Sequence, residues 1–203
     1  MSISISTYDG HGRTRAELDS IVQEYRQRGD VPHLLARLSA FAAAAPTSAL
    51  VEAAEPYREM HEVAGPLFEA VVEREPHNAR ALVALANAYW LTGRGPEVVA
   101  GLASRAISAD PANRGAWHLW ALSESSPRER MNHWQQVTVR FPGDELAKAN
   151  LADNAASVAG AENDPVALKL AIVTYESLLA SAEHPSQVAA LERALTALRN
   201  WSA

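Results

Sequence analysis

Apolar residues along the chain recur three and four positions apart, and nowhere do strong β-formers alternate with polar residues over a strand's length. One set of segments carries large apolar groups three apart and then a small residue. These are Leu18, Ile21, Val22 and Tyr25, then Leu82, Leu85, Ala86 and Tyr89, then Trp117, Trp120 and Ala121, with a weaker copy at Leu151 and Ala152. A second set pairs a small or apolar residue with a bulky one four later: Leu34 with Leu38, Ala64 with Phe68, Ala171 with Tyr175. Prolines close the apolar segments at Pro46, Pro76, Pro111, Pro142 and Pro185, and Gly29-Asp30 and Gly93 fall where the chain must reverse. About a fifth of the residues are alanine, so local preference is helical throughout. The pattern predicts an all-α chain of many short helices.

The proline spacings scatter around the roughly 34 residues of a tetratricopeptide repeat. The first-helix and second-helix patterns alternate as such a repeat requires. From about residue 15 to 185 the chain resembles the tetratricopeptide repeat family, most specifically at the junction Phe68-Glu69-Ala70-Val71-Val72-Glu73-Arg74-Glu75-Pro76-His77-Asn78 followed by Ala81-Leu82. The resemblance implies a right-handed α-solenoid of about five helix hairpins, 15–48, 49–78, 79–113, 114–144 and 145–185, closed by a capping helix over 186–201. Residues 1–14 read as a flexible lead-in, and 15–203 as one repeat domain. Another α-solenoid built of similar hairpins is the structural alternative. Three repeats depart from the pattern. The second has a short first helix, Thr47 to about Tyr57, with Pro56 inside it; the fourth has Ser125-Ser126-Pro127 in place of the turn glycine; the fifth has a longer loop around Gly160 to Pro165. In the cap, Val188, Leu191, Leu195 and Leu198 form the apolar face, and Trp201 packs on the preceding repeat or serves self-association.

Composition narrows the function. The chain has 203 residues, 48% hydrophobic, with Lys+Arg 18 against Asp+Glu 24 and a pI near 5.6. No positive excess is present to meet a phosphate backbone or an anionic lipid surface, so neither nucleic acid nor membrane is the expected partner. Without cysteine there is no thiolate ligand or thiol nucleophile. No run approaches a membrane span, and the polar start lacks a secretory signal, so a cytoplasmic location is expected. The arginine and alanine richness suggests a bacterial source. Gly-rich phosphate loops, nucleophile elbows and His-Glu-x-x-His zinc helices are absent. No enzyme activity, cofactor or metal is expected. His118 and His133 with Asp153 or Glu124 offer no converging ligand spacing.

The resemblance further implies that first helices line a concave surface that takes a peptide or protein segment. On these helices Arg80, Val83, Asn87, Trp90 and Leu91, then His118 and Leu122, then Ala149, Asn150 and Asp153 turn away from the hairpin seam. Asn87 suits a peptide backbone, Arg80 a carboxylate and Trp90 an apolar anchor. The bland reading makes the polar ones a solvated wall and Trp90 a packing residue. Only Lys148 and Lys169 are lysines, and Val83 stands where a cation would be wanted, so the cationic clamp some family members use on chaperone tails is disfavoured. Tyr89, Trp90, Trp117, Trp120, Trp134 and Phe141 cluster in two repeats and read mainly as core. Arg128, Arg130 and Arg140 form a basic strip, solvated or open to an acidic partner. Two functions follow: an adapter or assembly factor with a groove ligand, or a structural subunit docking by its convex face or cap.

Overall fold

A computed structural model describes residues 5–201, with backbone alone for residues 5–11. The described residues form eleven α-helices and no strand: α1 Ile5–Arg28, α2 Val31–Ala44, α3 Thr47–Ala54, α4 His61–Arg74, α5 Ala79–Leu91, α6 Pro96–Ala109, α7 Arg114–Leu122, α8 Pro127–Arg140, α9 Glu145–Glu162, α10 Pro165–Ser181 and α11 Pro185–Trp201. A single 3-10 turn, Glu55–Tyr57, extends α3. None of these helices is long and apolar enough to cross a membrane. The helices alternate as the five expected hairpins and a final single helix. Contacts gather the chain into two compact units, 1–119 and 120–203, with the division falling within α7.

In the first unit, α1 packs on α2 and α3, α3 on α4, α2 on α4, α4 on α5, and α5 on α6. Each of these helices thus touches its hairpin mate, and α1 to α5 each also touch a member of a neighbouring pair. The positions the sequence marks for this contact are buried: Leu18, Ile21 and Val22 on α1, Leu34 and Leu38 on α2, Ala64 and Phe68 on α4, Leu82, Leu85 and Ala86 on α5. Removing a side chain the size of Leu or Phe from water contributes about 1.5–3 kcal/mol. Pro56 explains the short first helix of the second pair. It opens the 3-10 turn at the end of α3, where its ring cannot continue an α-helical ladder.

In the second unit, α8 packs on α9, α9 on α10 and α10 on α11. Trp134, Leu151, Ala152, Ala155, Val158, Ala171 and Leu178 are buried, and Leu191 and Leu195 fasten the terminal helix to α10. The ring edge of Trp201 lies 4.0 Å from where a Cβ on Gly160 would sit.

Prolines set the register through the residue two positions on. At Pro76-His77-Asn78, Pro111-Ala112-Asn113 and Pro142-Gly143-Asp144 the chain makes the same tight turn, the third residue's N–H donating to the carbonyl three before it at 3.0, 3.1 and 3.0 Å. The side-chain oxygen of that residue then accepts from the backbone N–H of Ala81, Ala116 or Ala147 at 3.0, 3.2 and 3.0 Å. Each turn is therefore followed at once by a capped helix.

Helix α1 begins at Ile5, and residues 1–4 lie outside the described ones. One expectation changes. The loop expected around Gly160 to Pro165 shrinks to two residues, because α9 runs on through Gly160 to Glu162. Asn163 then takes the left-handed conformation (φ 52°), which asparagine tolerates, and Asp164 caps α10 by accepting from Val166 and Ala167 at 2.8 and 3.1 Å.

Ala86 is fully buried where α5 meets its neighbours, so Ala86→Leu should destabilise the chain by about 1–3 kcal/mol through overpacking. Asp144→Ala should cost about 1–2 kcal/mol through loss of a buried cap. Urea denaturation followed by circular dichroism measures both, and unchanged midpoints would contradict the packing and capping roles assigned here.

Candidate functional site

Helix α5 buries Ala81, Leu82, Ala84, Leu85, Ala86 and Ala88. What remains is a stripe at Arg80, Val83, Asn87, Trp90 and Leu91, spaced by three and four and hence on one face. Asn87 is exposed, Trp90 is 38% exposed and Leu91 is 54% exposed. Tryptophan and leucine so placed leave apolar surface in water beside an amide that both donates and accepts. Val83 is half-buried, with its Cγ1 3.4 Å from where a Cβ on Gly115 would lie. It therefore packs toward the start of α7 rather than standing free. Arg80 already has a carboxylate: its guanidinium is paired with Glu55 on the 3-10 turn that follows α3. It ties one repeat to the next. His118 is half-buried on α7.

In the second unit, α9, α10 and α11 enclose a cleft of about 470 Å³. Leu146, Ala149, Leu178, Ala190 and Leu191 supply its apolar surface, while Glu145, Asp153 and Gln187 supply polar groups. The Tyr175 hydroxyl donates to Asp153. Burial, followed by the Asp153 carboxylate, holds the Tyr175 phenol above its ordinary pKa. Asn150 turns along its own helix, donating to the Leu146 carbonyl at 2.9 Å. Ala149 and Asp153 therefore line a cleft, and Asn150 is occupied by the backbone.

The aromatic cluster divides. Trp134 is buried; Trp117 is half-buried and donates from Nε1 to the Pro111 carbonyl at 3.0 Å; Trp120 stacks on His133 with ring centroids 3.6 Å apart. Tyr89 donates to Glu69, and burial followed by that carboxylate pushes its phenol up to about 12. Trp90 alone of the six is exposed. The basic strip is not open to an acidic partner at two of its three arginines. Arg128 pairs with Glu162 and, at 2.7 Å, with Asp164, and Arg130 donates to Asn154 at 2.8 Å and to the Glu124 carbonyl at 3.0 Å. Arg128 in turn holds the Asp164 carboxyl below its ordinary range, with help from the Ala167 and Val166 amides. Sequence reasoning missed a second cleft, about 630 Å³, between α2 and α4 in the first unit. Its signal was legible: Glu62, Glu69 and Glu73 fall on one face of α4 around the in-helix Pro66.

No protein-family model matches the chain, and no curated protein matches it. Solved structures do. A crystal structure of MamA is 16% identical over 86% of this chain and 100% of that one, with a TM-score of 0.58. PilF of Pseudomonas aeruginosa is 14% identical over 94% and 86%, with a TM-score of 0.62. YrrB, described as a TPR protein with an unusual peptide-binding site, is 18% identical over 84% and 88%, with a TM-score of 0.59. The fold is that of the tetratricopeptide helical-repeat proteins.

The Arg80–Glu55 pair is a solvated tie, Arg80 being 62% exposed. A double-mutant cycle on Arg80→Ala and Glu55→Ala, read by urea denaturation, should return a coupling of at most about 1 kcal/mol. A coupling several-fold larger would show a role beyond surface pairing.

Proposed function

We propose that the chain is a cytoplasmic protein-interaction scaffold that binds a peptide or protein segment along its first helices. The observation that carries this reading is the outer stripe of α5, where Trp90 and Leu91 stand exposed beside Asn87 on a helix otherwise committed to the core. A tryptophan held on a rigid helix is the kind of anchor that dominates binding energy, and Asn87 can pair with both groups of a peptide bond. The cleft of α9 to α11 offers a further apolar pocket with carboxylates at its edge. The fold shared with YrrB, whose peptide-binding site is part of its description, supports the same class of ligand. A net charge of −6 directs the reading to protein partners and away from nucleic acid. No reaction is assigned to the chain.

Peptides selected from a random library against the intact chain provide the test. Trp90→Ala should weaken the selected peptides by about 30-fold, the consequence of losing an anchor worth about 2 kcal/mol, while the melting temperature stays close to wild type. Asn87→Ala should weaken them less. Full affinity in the Trp90→Ala chain, measured by fluorescence anisotropy, would remove this face from the function.

A further inference from the structure

The cleft between α2 and α4 shares no residue with the Asn87–Trp90 stripe. Its floor is made of small or compact residues, Ala43, Gly65, Pro66 and Ala70, and Leu35 stands 44% exposed on one wall. Small residues let another helix approach closely. Charge along the cleft is uneven. Glu62, Glu69 and Glu73 come from one face of α4, and among the described residues Glu62 and Glu73 have no ion pair. The arginines nearby are otherwise engaged: Arg74 donates to the Ala42 and Ala45 carbonyls at the end of α2, and Arg94 lies over the Tyr89 ring, 5.4 Å from its centre. Pro66 has no N–H to give the Glu62 carbonyl, which adds a backbone acceptor beside the carboxylates.

A complementary surface exists on the same chain. Along α10, Val166, Lys169, Val173, Ser177 and Ala180 are all exposed and are spaced by three and four, forming one continuous stripe. Val166 is 76% exposed and Val173 53%. No carboxylate interrupts the stripe, and the nearby Glu176 is paired with Arg199 at 2.7 Å. Lys169, one of only two lysines in the chain, has no ion pair among the described residues. By length the two elements match, α10 running about 25 Å and α4 about 21 Å at 1.5 Å per residue.

We propose that the α2–α4 cleft of one chain receives the outer face of α10 from a second copy. Val166 and Val173 pack on Leu35, Pro66 and Ala70, and the Lys169 ammonium meets the carboxylates of α4. The two faces are different surfaces, so the contact is head-to-tail and a pair of copies keeps one free cleft and one free stripe with which to extend.

Sedimentation velocity on the full chain tests this. Wild type should associate beyond a dimer as concentration rises. Glu62→Lys/Glu73→Lys breaks the cleft, Val166→Asn/Val173→Asn breaks the stripe while keeping the Lys169 charge that the altered cleft repels, and each variant alone should be monomeric. Mixed in equal amounts they should form a one-to-one dimer and nothing larger, because one intact cleft and one intact stripe remain. All four substitutions are at exposed positions, and circular dichroism verifies that each variant is folded. Trp90→Ala should assemble as wild type does. The proposal is overturned if wild type stays monomeric up to its solubility limit, if either folded variant associates as wild type does, if the mixture stays monomeric, or if Trp90→Ala abolishes assembly.

Discussion

Close contact between helices at alanine is the constraint on which the rest of the structure depends. Ala86, Ala121 and Ala152 are each fully buried on first helices, and Ala64, Ala103 and Ala171 are buried on second helices. A methyl group at the crossing lets two backbones approach, and the larger neighbours, Leu82, Phe68 or Leu151, then fill the space to either side. Interiors pack to near-crystalline density, so this alternation of small and large leaves little freedom in how one helix lies on the next. Alanine also carries the highest helix propensity. The same residue thus shapes the element and the seam, which is why a chain so rich in alanine is folded rather than a flexible linker.

Where α5, α7 and α9 start is controlled separately, by the proline turn and the cap that follows it. Asn78, Asn113 and Asp144 close the turn with their backbone and cap the next helix with their side chain. One residue therefore satisfies two demands that would otherwise leave amide groups unpaired. Ser126, Asp30 and Asp164 do the capping half of this work at the turns within hairpins. The departures from the repeat pattern are absorbed at such points: a 3-10 turn at Pro56, and a left-handed asparagine before Asp164.

The hairpins, their order and the terminal helix were legible because each depends on short-range signals, namely periodicity of three and four, prolines and turn glycines. The errors were local. Gly160 looked like part of a loop, yet α9 continues through it, since one helical glycine costs only about 1 kcal/mol and the surrounding alanines favour the helix. Site residues were legible as to face but not as to state. Periodicity placed Arg80, Asn87, Trp90 and Leu91 on one side of α5, but it held no information that Glu55, 25 residues earlier, would take Arg80's charge. Likewise Arg128 and Arg130 read as a free basic strip because their partners, Glu162, Asp164 and Asn154, arrive from another hairpin. Pairing across repeats is a property of the stack and is not written in any one segment.

That distinction separates the surfaces that hold the fold from those that remain available. A charged or polar side chain on an outer face has two possible fates: it is used by another helix, of a neighbouring repeat as Arg80, Arg128 and Arg130 are or of its own hairpin as Asp153 is, or it is left in water. Apolar side chains have a sharper criterion, because exposed valine, leucine or tryptophan lowers stability relative to burial while doing nothing for the fold. Scattered single cases are ordinary, but grouping at helical spacing is not. Trp90 and Leu91 lie three and four residues beyond Asn87 on α5, and Val166 and Val173 lie seven apart on α10 with Lys169 between them, for which there is no ion pair among the described residues. The repeat's own packing rules are satisfied without either stripe, so neither is needed to hold the helices together.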